Sequence, residues 1–343
     1  MESEWWNLHP EDLRSELAED LKKLGDHVTM DQIREVQAKA IRRGNQINFR
    51  ANVCQEFPQG SPFPSDVILR TQEDVEEFAQ LNCSIIKGRL RISNTVRRNP
   101  NPQSTQLIFE HEITDLTPLS HIEYVGGKLT IDNNVLQSLD GLENIHSIGP
   151  LGMFGGALIS GRKLLDIEAL QGVNKMYGDL VIRNTRRLKT ISQAFNHAHF
   201  LPKNISDNQP SDKSNVYFQN NDGLESIEGF SNASMLRELI FSHNKSLTSI
   251  NGFNQLERLD HYLFIQNNLK LKSLQGFNSL HSIELHLTIT ENPNLKECCV
   301  FFPLICTDPP HCIENGVSSN HITILNNAPS CTEEEIIDNG FCM

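Results

Sequence analysis

The chain has 343 residues, of which 38% are hydrophobic, so one large elongated domain or two ordinary domains can bury a sizeable core. Its 43 acidic and 30 basic residues give a formal charge of −13, which opposes binding to nucleic acids and to anionic membranes. The longest apolar run, Cys298 to Cys306, contains Pro303 and is shorter than the ~20 residues of a membrane helix. We therefore predict no nucleic-acid partner and no membrane span.

Residues 1–49 are predicted to form a helical N-terminal segment. Leu13, Leu17, Leu21 and Leu24 recur every three or four positions, as on one face of a helix, and Thr29 is a typical N-cap for a second helix. The acidic opening of the chain is not a secretory signal peptide. For a secreted protein, this indicates that the original start is missing.

Residues 50–297 are predicted to form the main domain. It opens with a linker that contains Cys54, followed by Thr71-Gln-Glu-Asp74, which has the pattern of a capping box at the start of a helix that reaches Leu81. After Cys83 the apolar periodicity changes from helical to strand-like. We place the domain boundary near residue 50.

A repeat of 23 or 24 residues is clearest in the later part of this domain, since matching strands begin at Val216, Leu239, Leu263 and Leu287. Looser copies lie at residues 88–92, 127–131 and 178–182, so about seven rungs are visible. Self-similarity at this period is typical of a solenoid, in which stacked rungs bury a core that no single rung could bury alone. The predicted fold is mainly β, a right-handed parallel β-helix or leucine-rich solenoid.

An asparagine follows most of these strands. We predict that these asparagines lie in the turns, in the left-handed conformation that asparagine tolerates, and that their role is structural. The residues are Asn134, Asn221, Asn244, Asn268 and Asn292.

Residues 298–343 are predicted to form a disulfide-rich C-terminal cap. Six of the eight cysteines lie there, namely Cys298, Cys299, Cys306, Cys312, Cys331 and Cys342. An even number of crowded cysteines indicates disulfides and an oxidising compartment. Because no Cys-x-x-Cys pair is present to frame a zinc site, we predict no metal.

Four Asn-x-Ser sequons begin at Asn82, Asn204, Asn232 and Asn244, of which Asn204 and Asn232 are the candidates for glycosylation.

Strand alternation places one apolar column on the outside of an otherwise polar sheet. Its members are Val181, Tyr217, Ile240 and Phe264, with Gln219 and Gln266 beside them as further candidate ligand-binding residues. Exposed apolar columns often mark interaction surfaces. A second interpretation stays open, because the irregular residues 196–215 enter the stack just before Tyr217 and could cover the column.

The segment from Asn82 to Ile92, with a short helix before it and Cys54 upstream, resembles the start of the receptor L domains of the insulin-receptor and epidermal-growth-factor-receptor ectodomains. The segment Asp115–Leu119 and the exit of the last strand into Cys298 resemble the same family. Related secreted L-domain proteins of microbes also belong to it. The resemblance implies a Cys54–Cys83 disulfide and a ligand-binding or dimerising module that meets its ligand on an exposed sheet. The six-cysteine tail has no counterpart in those domains, so its connectivity stays open.

We predict an extracellular or cell-surface module that recognises a protein ligand through an exposed sheet face and needs no cofactor. A structural or adhesive surface protein that binds glycan is the alternative, and a polysaccharide-active β-helix enzyme is the third choice. Asp132 and Asp179 are scattered acids without a convergent partner, and His197 and His199 offer only two metal ligands. We therefore predict no catalytic residues and no enzyme activity.

Overall fold

The protein is represented by a computed structural model that describes Cys54, Leu304 and residues 66–94, 96–98, 107–109, 112–149, 155–202, 213–301 and 322–332. The chain divides into two units, residues 1–53 and residues 54–343. The helices predicted within residues 1–49 lie outside the described residues. The domain limits at residues 49 and 297 stay predictions.

The described residues form a mainly β structure, a solenoid of about eight turns made of parallel sheets, which confirms the predicted fold class. Buried apolar residues alternate along the strands of the largest sheet, so every second side chain there enters the core. In order along the largest sheet, the strands are β1 (Val67–Leu69), β3 (Leu90–Ser93), β7 (Leu129–Asp132), β9 (Gly156–Ser160), β11 (Asp179–Arg183), β14 (Asn215–Gln219), β16 (Met235–Ser242), β18 (Arg258–Gln266), β20 (His286–Thr290) and β21 (Ile322–Leu325).

Shorter strands form the other faces of the coil. Beside the largest sheet, β19 (Ser282–Ile283) pairs with β18. A second parallel sheet has the order β13 (His199–Leu201), β10 (Lys175–Tyr177), β8 (Ser147–Ile148), β6 (Tyr124–Val125) and β2 (Ile85–Ile86). A third consists of β12 (Thr190–Ile191), β15 (Ser226–Ile227) and β17 (Ser249–Ile250), and β4 (Val96–Arg98) pairs antiparallel with β5 (Leu107–Phe109). Short 3₁₀ helices lie at Thr117–Leu119, Glu168–Gly172, Gln275–Phe277 and Cys299–Phe301.

Helix α1 (Gln72–Ala79) and a disulfide close the first end of the stack. The predicted capping box is present, since Asp74 N donates to the Thr71 hydroxyl at 3.0 Å and Thr71 N donates to the Asp74 carboxylate at 3.0 Å. The disulfide joins Cys54 to Cys83, as the family resemblance implied.

A second disulfide, Cys298–Cys331, lies at the C-terminal end of the solenoid. Of the other cysteines predicted for this cap, the Cys299 side chain and all of Cys306, Cys312 and Cys342 lie outside the described residues. Their pairing stays a prediction.

Stacked phenylalanines fill the later rungs. Phe230 and Phe253 stack with ring centroids 4.9 Å apart, and Phe253 and Phe277 follow at 5.9 Å. Phe218 and Phe241 form a parallel stack at 5.1 Å. All five side chains are fully buried, so the Gly-Phe pairs of the repeat serve packing, with the rings in the offset or edge-to-face arrangements that aromatic groups prefer.

A ladder of buried asparagines runs beside this core. Asn244 donates from both its backbone N and its side-chain Nδ2 to Asn268 Oδ1, at 3.1 Å each. Asn268 repeats this with Asn292, at 3.0 and 3.2 Å. Each side chain also donates to a strand carbonyl, as Asn268 does to Phe241 O at 3.0 Å. The asparagines thus bond one another from rung to rung without any exposed surface, which confirms their predicted structural role.

The prediction that these asparagines are left-handed is wrong. The residue before each one has the positive φ instead, with 56° at Asn220, 59° at His243 and 55° at Asn267. In the rung of β7 the buried asparagine is Asn133, which is 1% exposed, and the predicted Asn134 is partly exposed. The left-handed residue extends the sheet by one hydrogen bond, and the buried asparagine closes the turn that follows.

Candidate functional site

The outward face of the largest sheet carries the predicted apolar column. In the strand register Val181 pairs with Tyr217, Tyr217 with Ile240, and Ile240 with Phe264. Leu158 of β9 extends the column to five adjacent strands. All five side chains are partly exposed, in contrast to the buried residues on either side of each along the strand. The column is therefore continuous, and its role in binding stays a prediction.

A polar column borders it toward the strand ends. Gln219 pairs with Ser242 and Ser242 with Gln266, and both glutamines reach solvent. Amide side chains at the edge of an apolar strip are suited to the polar rim of an interface.

The column on the opposite side was missed by sequence reasoning. Glu238 pairs with Tyr262 and Tyr262 with His286, and all three are partly exposed. The Tyr262 ring stacks on His286 at 5.3 Å and contacts Phe264 at 5.5 Å. The repeat is clearest from the first buried residue of each strand onward, and the outward residue just before it lies outside that pattern. Continuing the alternation back from Phe264 would have found Tyr262.

A hydrogen bond links the apolar column to this polar column. The Tyr217 hydroxyl donates to Glu238 Oε2 at 2.5 Å. Glu238 also lies 3.7 Å from the Arg237 guanidinium and 3.5 Å from the His261 ring. Burial raises the pKa of the Tyr217 phenol above its ordinary value, and the bond to Glu238 raises it further. Tyr217 is thus held as a neutral donor, with its ring in the apolar column.

We expect Tyr217 to stay protonated well above pH ~10, the ordinary pKa of a phenol. Burial raises the pKa of Tyr124 in the same direction. Because both pKa values are raised in the folded state, their contribution to the free energy of unfolding is intact below about pH 10 and is lost as the pH rises further. An absorbance titration of the phenolates should show a fraction of the tyrosines that ionises only at higher pH, and Tyr217→Phe should make this fraction smaller. If Tyr217→Phe instead removes a tyrosine that ionises near pH ~10, the buried, hydrogen-bonded environment of Tyr217 is contradicted.

The described part of the insertion at residues 196–215 contains a β-strand, so the expectation that these residues are irregular is wrong for that part. His199–Leu201 forms β13 and pairs with β10 in the second sheet. Phe200 packs against the core, with its ring 6.1 Å from Phe230. At the other end Lys213 forms an ion pair with Asp260 at 2.7 Å. Residues 203–212 lie outside the described residues. Whether the insertion covers the apolar column therefore stays a prediction.

A polar groove follows the turns that leave five adjacent strands, from β7 to β16. Its cavity volume is about 510 Å³. The side chains lining it include Asn134, Arg162, Asn184, Arg186, Asn220 and Lys245. The groove begins at the carboxyl ends of the strands, where Asp132 and Ser160 are the last residues of β7 and β9, and no residue of the apolar column lines it.

The sequons differ in accessibility. Asn244 belongs to the buried ladder and is 0% exposed, so its amide is not accessible in the folded chain. Asn232 is partly exposed, and its Nδ2 donates to His197 O at 3.2 Å. Asn204 lies outside the described residues. Glycosylation of Asn204 and Asn232 stays a prediction.

Three observations on the described part of the chain concern other classes of function. No group of three or more His, Cys, Asp or Glu residues there is arranged to hold a metal ion. No described helix combines the length and the apolar character needed to cross a membrane. Asp132 and Asp179 lie at opposite ends of their strands, in β7 and β11.

Comparison with known proteins gives one match. Residues 82–197 match the family model described as the receptor L domain. The segment contains the Asn82–Ile92 and Asp115–Leu119 motifs on which the sequence resemblance rests. Neither the search of curated proteins nor the search of solved structures returned a match.

Proposed function

We propose that this chain, of which residues 82–197 match the receptor L-domain family model, is a binding module that recognises a protein partner through the outward face of its largest sheet. The observation that supports this most strongly is the continuous column of Leu158, Val181, Tyr217, Ile240 and Phe264. Apolar and aromatic side chains at the centre of a polar surface are typical of binding hot spots.

The composition of the face also fits a protein interface. Aromatic residues and methionine are enriched at such interfaces, and Tyr217, Tyr262 and Phe264 lie within two neighbouring columns. The partly exposed Glu238 and His286 and the exposed Gln266 surround them with groups that form hydrogen bonds. This arrangement of an apolar centre and a polar rim supports a protein partner.

The outward face of the largest sheet is large enough to form one side of a protein interface. The path of ten strands spans roughly 43 Å at ~4.8 Å per strand, and strands of about five residues are roughly 17 Å long. The resulting face of roughly 700 Å² approaches the ~800 Å² that each partner contributes to a standard interface.

We further propose that the module works outside the cell or at its surface and is not an enzyme. The disulfides Cys54–Cys83 and Cys298–Cys331 support an oxidising compartment, because such bonds persist in secreted proteins and are rare in the cytosol. The match of residues 82–197 to the receptor L-domain family supports a binding role over catalysis.

The test is a binding screen of the purified chain against an array of extracellular proteins, a glycan array and viscous polysaccharides. We expect saturable binding to a protein and unchanged viscosity of every polysaccharide. Binding confined to glycans would favour an adhesive protein instead. A fall in viscosity that follows the chain through purification would favour an enzyme, and either result would overturn the proposal.

A further inference from the structure

The turns after β9 and β11 carry a cluster of five cations. Arg162 and Lys163 follow β9, and Arg183, Arg186 and Arg187 lie at or after the end of β11. All five are exposed, and none forms an ion pair or a side-chain hydrogen bond within the described part of the chain. In a chain of net charge −13, such a cluster stands out as a local site for anions.

Two of these cations line the polar groove. Arg162 and Arg186 belong to its wall, as does Lys245, which is paired with Asp222 at 3.1 Å. Of the two acids in the wall, Asp222 forms this ion pair, whereas Asp132 forms none among the described residues. The groove therefore offers two guanidinium groups for anions and two carboxylates, of which Asp222 is paired with Lys245 and Asp132 is left to accept hydrogen bonds from a ligand.

Amide side chains in the same groove are available to a ligand. Asn184 and Asn220 have positive φ, and their backbone N–H groups donate to Gln219 O and Ser242 O at 3.1 and 3.0 Å. Their side-chain amides form no hydrogen bond within the described residues. Each amide can both donate and accept, which suits hydroxyl groups.

The chemistry of the lining selects among polyanions. The residues of the groove wall are all polar or charged, whereas peptide partners bury apolar side chains. The combination of guanidinium groups, amides and the Asp132 carboxylate matches a chain that bears both anionic groups and many hydroxyls. Because the groove crosses five adjacent strands, it is roughly 19 Å long at ~4.8 Å per strand, which favours an extended chain over a single sugar.

We propose that this groove, with Arg162 and Arg186 as its principal cations, binds an acidic oligosaccharide. Carboxylate or sulfate groups contact the guanidinium groups, and sugar hydroxyls contact Asp132, Asn184 and Asn220. This site is independent of the apolar column that we propose for the protein partner.

The test measures binding of the whole chain to four probes at low and physiological salt: heparin oligosaccharides, oligogalacturonate, neutral dextran and polyglutamate. We expect the acidic glycans to bind and dextran not to bind, and the comparison of heparin with oligogalacturonate separates sulfate from carboxylate recognition. Substituting Arg162→Ser and Arg186→Ser should weaken binding roughly tenfold or more for each arginine, the typical effect of losing a hydrogen bond to a charged group.

The matched control is Lys270→Ser with Lys272→Ser. It removes the same charge from exposed positions outside the groove and should change affinity less than threefold. Three results would overturn the proposal: no acidic glycan binds, polyglutamate binds as tightly as the glycans, or the control loses as much affinity as the arginine pair. Loss of protein-partner binding alone would leave this site standing, because the apolar column is elsewhere.

Discussion

Replacing Asn268 with alanine is expected to lower the free energy of unfolding by about 3–5 kcal/mol, since each buried group left without a partner costs ~1–3 kcal/mol. The Asn268 side chain accepts from Asn244 N and Nδ2 and donates to Phe241 O and Asn292 Oδ1. Alanine leaves the Asn244 backbone N–H and the Phe241 carbonyl without these partners in the buried interior, and Asn244 Nδ2 keeps only its bond to Phe218 O. The loss should exceed that of an ordinary exposed substitution several times over.

Denaturant unfolding followed by circular dichroism measures this difference. Asn278→Ala is the matched control, because Asn278 is exposed and has right-handed helical dihedral angles that alanine also adopts. The control should change the free energy of unfolding by no more than ~0.5 kcal/mol. Equal effects of the two substitutions would show that the ladder contributes little to stability.

Most of the solenoid can be predicted from the sequence, because its period and strand alternation are local patterns. Val216, Leu239, Leu263 and Leu287 are buried and paired as the repeat requires. Each rung repeats the same geometric problem, so the same residue types recur at the same positions.

The rung of β9 and the ladder position after β11 could not be predicted in this way, because their residues differ from those of the repeat. β9 has Gly161 where later rungs have a left-handed asparagine, histidine or glutamate, and its strand begins with Gly156 at φ 103°. After β11 the place of the ladder asparagine is taken by Thr185, whose hydroxyl donates to Asn221 Oδ1 at 2.8 Å. A threonine can satisfy the same partner with a different side chain, and this substitution is invisible to a search for asparagine.

The candidate site was predictable only in part. Alternation sufficed for Tyr217, Ile240 and Phe264, because each lies between two buried strand residues. The polar groove depends on turns of different length and on which cations remain unpaired, and such relations arise only from the three-dimensional structure. Arg186 and Arg187 were visible in the sequence as a basic pair, but not their proximity to Arg162 in the preceding rung.

The second large effect concerns the apolar column. Substituting both Ile240→Asp and Phe264→Asp should weaken binding of the protein partner by about a hundredfold or more, since central hot-spot residues contribute ~2 kcal/mol or more each. The two residues are neighbours in the register of β16 and β18. Two carboxylates would have to be desolvated against the partner's apolar surface, whereas in the free chain they face water.

Leu269→Asp serves as the matched control. Leu269 is 48% exposed in the turn after β18, outside the outward face of the sheet, and its substitution introduces the same charge. Phe264→Ala adds a milder change that leaves the column uncharged. Thermal unfolding of each variant separates loss of the fold from loss of binding.

The most direct test of a binding face on the largest sheet is therefore the affinity of the folded Ile240→Asp, Phe264→Asp variant for the protein that the screen identifies. We expect binding to fall by about a hundredfold while the Leu269→Asp variant binds as the wild type does. A folded double variant that binds its partner with unchanged affinity would contradict the account.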